Sequence, residues 1–131
     1  MPKYLMYLKI RYMFVQENIK IMNQHIKGSL NAIVLKLLAD NGRMYGYEIT
    51  QKVKELTTDG IQITEGALYP LLHKLEAEEI LIAKTEKVDG RVRKYYEITS
   101  KGNETARFRI SELAAFAESL NRILNPKFAT I

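Results

Sequence analysis

The chain contains no cysteine and no tryptophan, only three prolines and two histidines. No apolar run approaches the roughly 18 residues of a membrane span. Without cysteine there is no disulfide, no thiolate nucleophile and no Cys-based zinc site, a composition that suits a reducing cytosol. His25 and His73 stand far apart, and no GxSxG, HExxH or phosphate-binding glycine loop occurs. Glu76, Glu78 and Glu79 read as a solvated helix end, because they lack the apolar setting of an acid–base pair. No enzyme activity, metal or cofactor is therefore expected. The N-terminal stretch is apolar and basic, but Lys9 and Arg11 interrupt it and no small-residue cleavage site follows, so it does not read as a signal peptide.

What is present points to one domain of 131 residues, 47% apolar, with a net charge of +5. A basic balance favours an anionic partner, either nucleic acid or an anionic membrane surface. Residues 4–22 place Leu5, Leu8, Tyr12, Val15, Ile19 and Met22 at spacings of 3 and 4, a helix with one apolar seam. Three readings of that helix stand side by side. It packs on its own domain, it contributes to a dimer, or translation begins at Met22.

Ser29 is positioned to cap a helix carrying Leu30, Ile33, Val34, Leu37 and Leu38, which Asn41-Gly42 closes. A second helix begins near Tyr45 and buries Ile49, Val53 and Leu56, "IQI" is a short extended piece, and Thr64 caps a third helix. Leu81–Glu86 and Arg93–Thr99 read as two strands joined through Val88-Asp89-Gly90. A last helix runs from "TSKGNE" to about Asn125, where Pro126 follows. The expected organisation is an N-terminal extension (residues 1–22), a helical unit with a hairpin (23–100), a long helix (101–125) and a tail (126–131).

The third helix is unusual. Leu68, Leu71, Leu72 and Leu75 form one stripe, and Gly66, Tyr69, Pro70 and His73 fall opposite. A solvated face rarely uses glycine and proline, both poor helix formers. Pro70 also removes the N–H that would bond the carbonyl of Gly66. A low-profile helix start with orphaned N–H groups can approach an anion such as a DNA phosphate. The alternative is a structural kink that only directs the helix entry.

From Lys84 to Lys94 five basic residues (Lys84, Lys87, Arg91, Arg93, Lys94) face two acidic ones (Glu86, Asp89). Such a run is commonly just a solvated hairpin, yet a basic β-ribbon beside a three-helix unit can also grip phosphate or enter a minor groove. The last helix carries Ala106, Ile110, Leu113, Ala117, Leu120 and Leu124 at heptad spacing, with Phe108, Phe116 and Ile123 widening the apolar surface. That pattern expects dimerisation, against packing back on the same chain.

The blocks "YGYEI" (45–49), "GALYPLLHKLEAEEIL" (66–81) and "GRVRKYYEITSKG" (90–102), in this order, resemble the PadR family of bacterial transcriptional regulators, over about residues 27–125. The resemblance implies a mainly α fold with a small β-hairpin, namely a winged helix-turn-helix plus a long C-terminal helix, forming a homodimer. It makes the third helix the recognition helix and the hairpin the wing. It implies that Thr64, Glu65, Gly66, Tyr69, Pro70, His73 and Lys74 meet double-stranded DNA, with Lys87, Arg91, Arg93 and Lys94 from the wing. It places Ala106, Ile110, Leu113, Phe116, Ala117, Leu120 and Leu124 in the dimer interface. Family members commonly repress transcription and release DNA on binding a small aromatic or apolar effector. Some short members hold the effector on tryptophan, which this chain lacks; the matching position falls near Leu113, with Phe116 and Tyr12 as substitutes. The rival reading is a winged-helix ligand-binding or protein-interaction module that does not grip DNA.

Overall fold

The structure, a computed structural model, describes residues 2–26 and 29–125; for residues 15–26 it describes the backbone alone. The expected tail 126–131 and the seam positions Val15, Ile19 and Met22 lie outside what is described of side chains. Five helices and three strands follow in the order α1 (Lys3–Ile26), α2 (Leu30–Asn41), β1 (Arg43–Tyr45), α3 (Gly46–Leu56), α4 (Glu65–Ala77), β2 (Leu81–Val88), β3 (Arg91–Ile98) and α5 (Gly102–Leu124). The fold is mainly helical, with a small antiparallel sheet in the order β1-β3-β2 and a long C-terminal helix.

The core lies where α2, α3 and α4 meet the inner face of the sheet. Val34, Leu35, Leu38, Ile49, Leu68, Leu72, Leu75, Leu81 and Tyr96 are its most buried side chains. The leucine stripe of α4 behaves as its spacing predicts: Leu68, Leu72 and Leu75 are fully buried, while Leu71 packs at the core's edge. Each full burial stabilises by roughly 1.5–3 kcal/mol. Three together outweigh the roughly 3 kcal/mol that a proline costs inside a helix, so α4 continues through Pro70.

Local signals set most boundaries. The Thr64 hydroxyl accepts from the Ala67 N–H at 3.2 Å and caps α4. Glu48 reaches back to the Tyr45 N–H at 3.3 Å and starts α3. Gly42, at φ 84°, closes α2 by donating to the Leu38 carbonyl, and the Asn41 amide donates to Leu37. Ser29 differs from expectation: it sits at the start of α2 but makes no side-chain cap.

The sheet departs from expectation in two ways. Residues 43–45 form a third strand, pairing Arg43, Met44 and Tyr45 with Glu97, Tyr96 and Tyr95. The hairpin strands run longer than their imperfect alternation suggests, so the turn is Asp89-Gly90 alone. Both residues have positive φ (51° and 78°), the two-residue turn that matches strand twist. The "IQI" segment joins no sheet and is held by the Thr57 hydroxyl, which accepts from the Ile61 N–H.

Candidate nucleic-acid interface

Helix α4 turns a narrow strip to solvent. Gly66, Ala67, Pro70, His73, Lys74 and Ala77 are exposed and follow one another at helical spacing, with Thr64 and Glu65 at its start. Only His73 and Lys74 rise above this strip as large side chains. Ala67 completes it and was not singled out from the sequence; its spacing to Pro70 and Lys74 is the signal that could have found it.

Tyr69 corrects the helical wheel. It is half-buried rather than outward, packed on the core, with its phenol against the first residue of α3. A β-carbon on Gly46 would lie 2.7 Å from the Tyr69 hydroxyl oxygen, so any larger residue there would push the Tyr69 ring aside. The two sequence blocks "YGYEI" and "GALYP" are thus halves of one contact between α3 and α4. Burial, then the nearby Glu65 carboxylate, raises the Tyr69 pKa and keeps its hydroxyl protonated. The hydroxyl borders a cleft of about 310 Å³ between α4 and the wing, which His73, Arg93 and Lys94 also line.

The hairpin register decides where each cation points. Opposed residues share a face, and neighbours alternate. Tyr96 and Met44 face the core, so Lys94, Val92, Thr85 and Lys87 occupy the α4 side of the sheet. By register Arg91 and Arg93 leave from the opposite face, though Arg93, beside Tyr45, still lines the cleft.

On that opposite side aromatic and cationic groups interleave. Arg43 stacks 4.3 Å above the Tyr95 ring, and Arg93 stacks 4.6 Å above Tyr45. Tyr45 and Tyr95 meet edge-on with centroids 5.5 Å apart. Hydrogen bonding to Tyr95 holds Arg93 more firmly protonated still. Sequence reasoning missed Arg43 and Tyr45 here, because β1 was not expected.

Several wing charges are spent inside the protomer. Arg43 pairs with Glu86 at 2.6 Å, Lys84 with Glu97 at 2.8 Å and Lys94 with Glu76 at 3.4 Å. Burial pulls the Lys94 pKa down, but Tyr96 and Glu76 together leave it raised. Lys87 and Arg91, on either side of the turn, and Lys74 on α4 form no ion pair with another described residue. Arg93 is unpaired as well, stacked on Tyr45 but not neutralised, so these four are the cations of α4 and the hairpin that no described carboxylate neutralises. Among the described residues no cluster of three or more His, Asp or Glu could hold a metal, and no helix is long and apolar enough to cross a membrane.

Helix α5 divides in two. Its first half packs on α2, and Ala106, placed by spacing in the dimer seam, is instead buried in its own core. Ile110 packs at the core's edge and Leu113 is half-buried. Phe116, Ala117, Leu120 and Leu124 are exposed. A groove of about 670 Å³ between α2 and α5 is lined by Asn31, Arg109, Leu113 and Phe116; Tyr12, 66% exposed on α1, is not part of it.

The profile of the PadR-like family of transcriptional regulators matches residues 34–107. A transcriptional regulator of Mycobacterium tuberculosis is 36% identical over 81 residues, which span 62% of this chain and 72% of that one. An uncharacterised protein of Lysinibacillus sphaericus is 38% identical over 97 residues, spanning 73% and 88%. The solved PadR-like transcription factor of Bacteroides fragilis superimposes with a TM-score of 0.56 at 33% identity, over 81% of this chain and 96% of that one. The PadR-like regulator of Bacillus cereus gives 0.64 at 28% identity, over 78% and 97%. The matched span holds α3, α4, the wing and the first turns of α5, and the chain belongs to the PadR-like family of transcriptional regulators, a non-catalytic family.

Proposed function

We propose that the chain is a DNA-binding repressor that acts as a homodimer on an inverted repeat and responds to a small aromatic or apolar effector. One observation carries the DNA reading: the low, exposed strip of α4 lies beside a hairpin whose tip holds the uncommitted cations Lys87 and Arg91. Two such strips, one from each protomer, would enter successive major grooves about 34 Å apart. Glu65 can accept from a cytosine amine, and His73 and Lys74 reach furthest toward base edges or phosphate. The Tyr69 hydroxyl, seated on Gly46, donates to a phosphate at the cleft rather than to a base. Pro70 and Gly66 keep the helix surface low. The hairpin contributes affinity and α4 discrimination. Arg93 and Lys94, tied to Tyr45 and Glu76, stiffen the wing more than they extend it.

The dimer reading rests on the exposed second half of α5, from Phe116 through Leu120 to Leu124. The effector reading rests on the groove at Leu113 and Phe116, where Arg109, bonded to Asn31 at 3.1 Å, and Glu112 stand beside two apolar side chains.

The test is a fluorescence titration of a duplex from the gene's own upstream region at several salt concentrations. Lys87→Ala with Arg91→Ala should weaken binding to every sequence. The log–log salt slope should fall by about 0.9 for each phosphate that the wing no longer neutralises. An unchanged slope rejects the wing contacts, and no binding by the parent protein at low salt rejects the DNA reading itself.

A further inference from the structure

From Lys3 to Phe14 helix α1 carries apolar side chains on every side, interrupted by Lys9 and Arg11, and its own protomer leaves them bare. Tyr4, Leu5, Met6 and Tyr7 follow one another at steps of 100° and so look out on four sides; all four are between 51% and 69% exposed. Ile10, Met13 and Phe14 are 60–66% exposed as well. A helix apolar all round is stable only when it is surrounded. A flat surface or a bilayer interface covers one side of such a helix, and α1 is not apolar enough to cross a membrane.

Three features identify what surrounds it. First, an apolar groove of about 380 Å³ lies open between α2, α3 and α5, lined by Ile33, Leu37, Val53, Ile110, Leu113 and Ala117, and the bare second half of α5 extends from it. Residues 2–14 of the protomer's own α1 cover neither surface, since they are all exposed. Second, the spacings match. Leu5, Leu8 and Tyr12 on α1, and Leu113, Ala117, Leu120 and Leu124 on α5, both repeat at 3 and 4, the seam that lets two helices interlock. The sequence carries the α1 spacing on through Val15, Ile19 and Met22. Third, the charges are complementary. Residues 1–16 hold Lys3, Lys9 and Arg11 and no acidic residue, whereas on α5 Glu112 forms no ion pair with another described residue and Glu118 is shared with Arg122 at 2.9 Å. Two α1 helices side by side would repel; α1 beside α5 attracts.

We propose that α1 of one copy packs along the second half of α5 of a second copy and closes the apolar groove beside it, so that the N-terminal extension clasps the dimer. The proposal rests on the dimer reading above, and deepens it by adding a second pair of contacts related by the same two-fold axis.

The absence of native cysteine makes the test clean. Chains carrying Leu8→Cys are mixed with size-tagged chains carrying Ala117→Cys, and a short bismaleimide is added. A cross-linked product of mixed size is the expected result. The double variant Leu8→Cys, Ala117→Cys, at high dilution, separates the alternatives: linkage confined within one chain overturns the proposal in favour of the protomer's own groove. A parent protein that sediments as a dimer but gives no mixed product overturns the clasp while leaving the α5 interface standing. A monomeric parent overturns both. Loss of the mixed product with co-sedimentation on phosphatidylglycerol vesicles would assign α1 to a membrane surface instead. As a second readout, Leu8→Glu with Tyr12→Glu should weaken dimerisation at least tenfold in sedimentation equilibrium. It should leave thermal unfolding of the monomer unchanged, because both residues are already exposed there.

Discussion

Leu72 and Leu120 are both leucines on the apolar side of a helix, and they are satisfied differently. Leu72, on α4, is fully buried among residues of its own chain. Leu120, on α5, is 40% exposed, with Leu124 beyond it at 71%. The same contrast separates two regions. From α2 to the first half of α5 the apolar groups of the inner faces are covered within one chain. In residues 3–14 of α1 and the second half of α5 they are not. The first region is specified by its own core, so one protomer contains all the information for the surface proposed to read DNA. The second is long and apolar and is left uncovered in one protomer, which is why a second copy is proposed to complete it. Reading DNA at two half-sites needs both: a rigid surface, and a fixed separation between two such surfaces.

The contrast breaks first at Leu72. Leu72→Ala should lower unfolding stability by roughly 2–5 kcal/mol, seen as an earlier denaturant midpoint with little change in slope. A cost below about 1 kcal/mol would mean that the α4 core is looser than its burial indicates.

How much of this was visible in the sequence follows the same division. The α4 stripe, the Thr64 cap, the Gly42 closure and the Asp89-Gly90 turn are local patterns, and the structure has them where the spacing places them. Features set by distant partners were not legible. Strand β1 is only Arg43–Tyr45, and its conformation depends on pairing with Tyr95–Glu97. Tyr69 falls outward on a wheel of α4 alone, and turns in only because Gly46 opens a seat on another helix. The opposite facing of Arg91 and Lys94 follows from a register fixed by Tyr96 entering the core. Ala106 carries the heptad spacing but meets its own α2 layer before any partner arrives. For the exposed strip of α4 that is proposed to face DNA, composition was informative because glycine, alanine and proline on an exposed helix face need a reason.

Leu120→Glu sharpens the comparison from the other side. It should dissociate the dimer and abolish operator binding, while the unfolding temperature of the resulting monomer stays near that of the parent at matched high dilution. Sedimentation at low micromolar concentration checks the first part. A dimer that persists there would place the interface elsewhere. A large fall in monomer stability would show that the second half of α5 belongs to the protomer's core after all.

The smallest effect lies inside the first region, where α5 begins. At its start α5 is welded to the end of α4. Gly102 lies so close to the Ile80 backbone that an added β-carbon would fall 2.4 Å from the Ile80 carbonyl oxygen. The Thr99 hydroxyl donates to the Glu79 carbonyl at 2.7 Å, and Lys101 pairs with the Glu79 carboxylate at 2.6 Å. The hydrogen bond from Lys101, then its charge, lowers the Glu79 pKa below the ordinary carboxylate value of 4.5. A lowered folded-state pKa contributes stability that is fully present above the ordinary value and is lost as pH falls through the folded one. Lys101→Met should therefore return the Glu79 titration, followed by carboxyl NMR, to the ordinary range. The stability difference between Lys101→Met and the parent should be constant above that range and vanish in stronger acid. Solvent screening keeps it small, since both side chains are about 70% exposed. A difference that persisted undiminished in strong acid would show that the lysine's aliphatic stem, rather than its charge, holds the joint between reading surface and dimer helix.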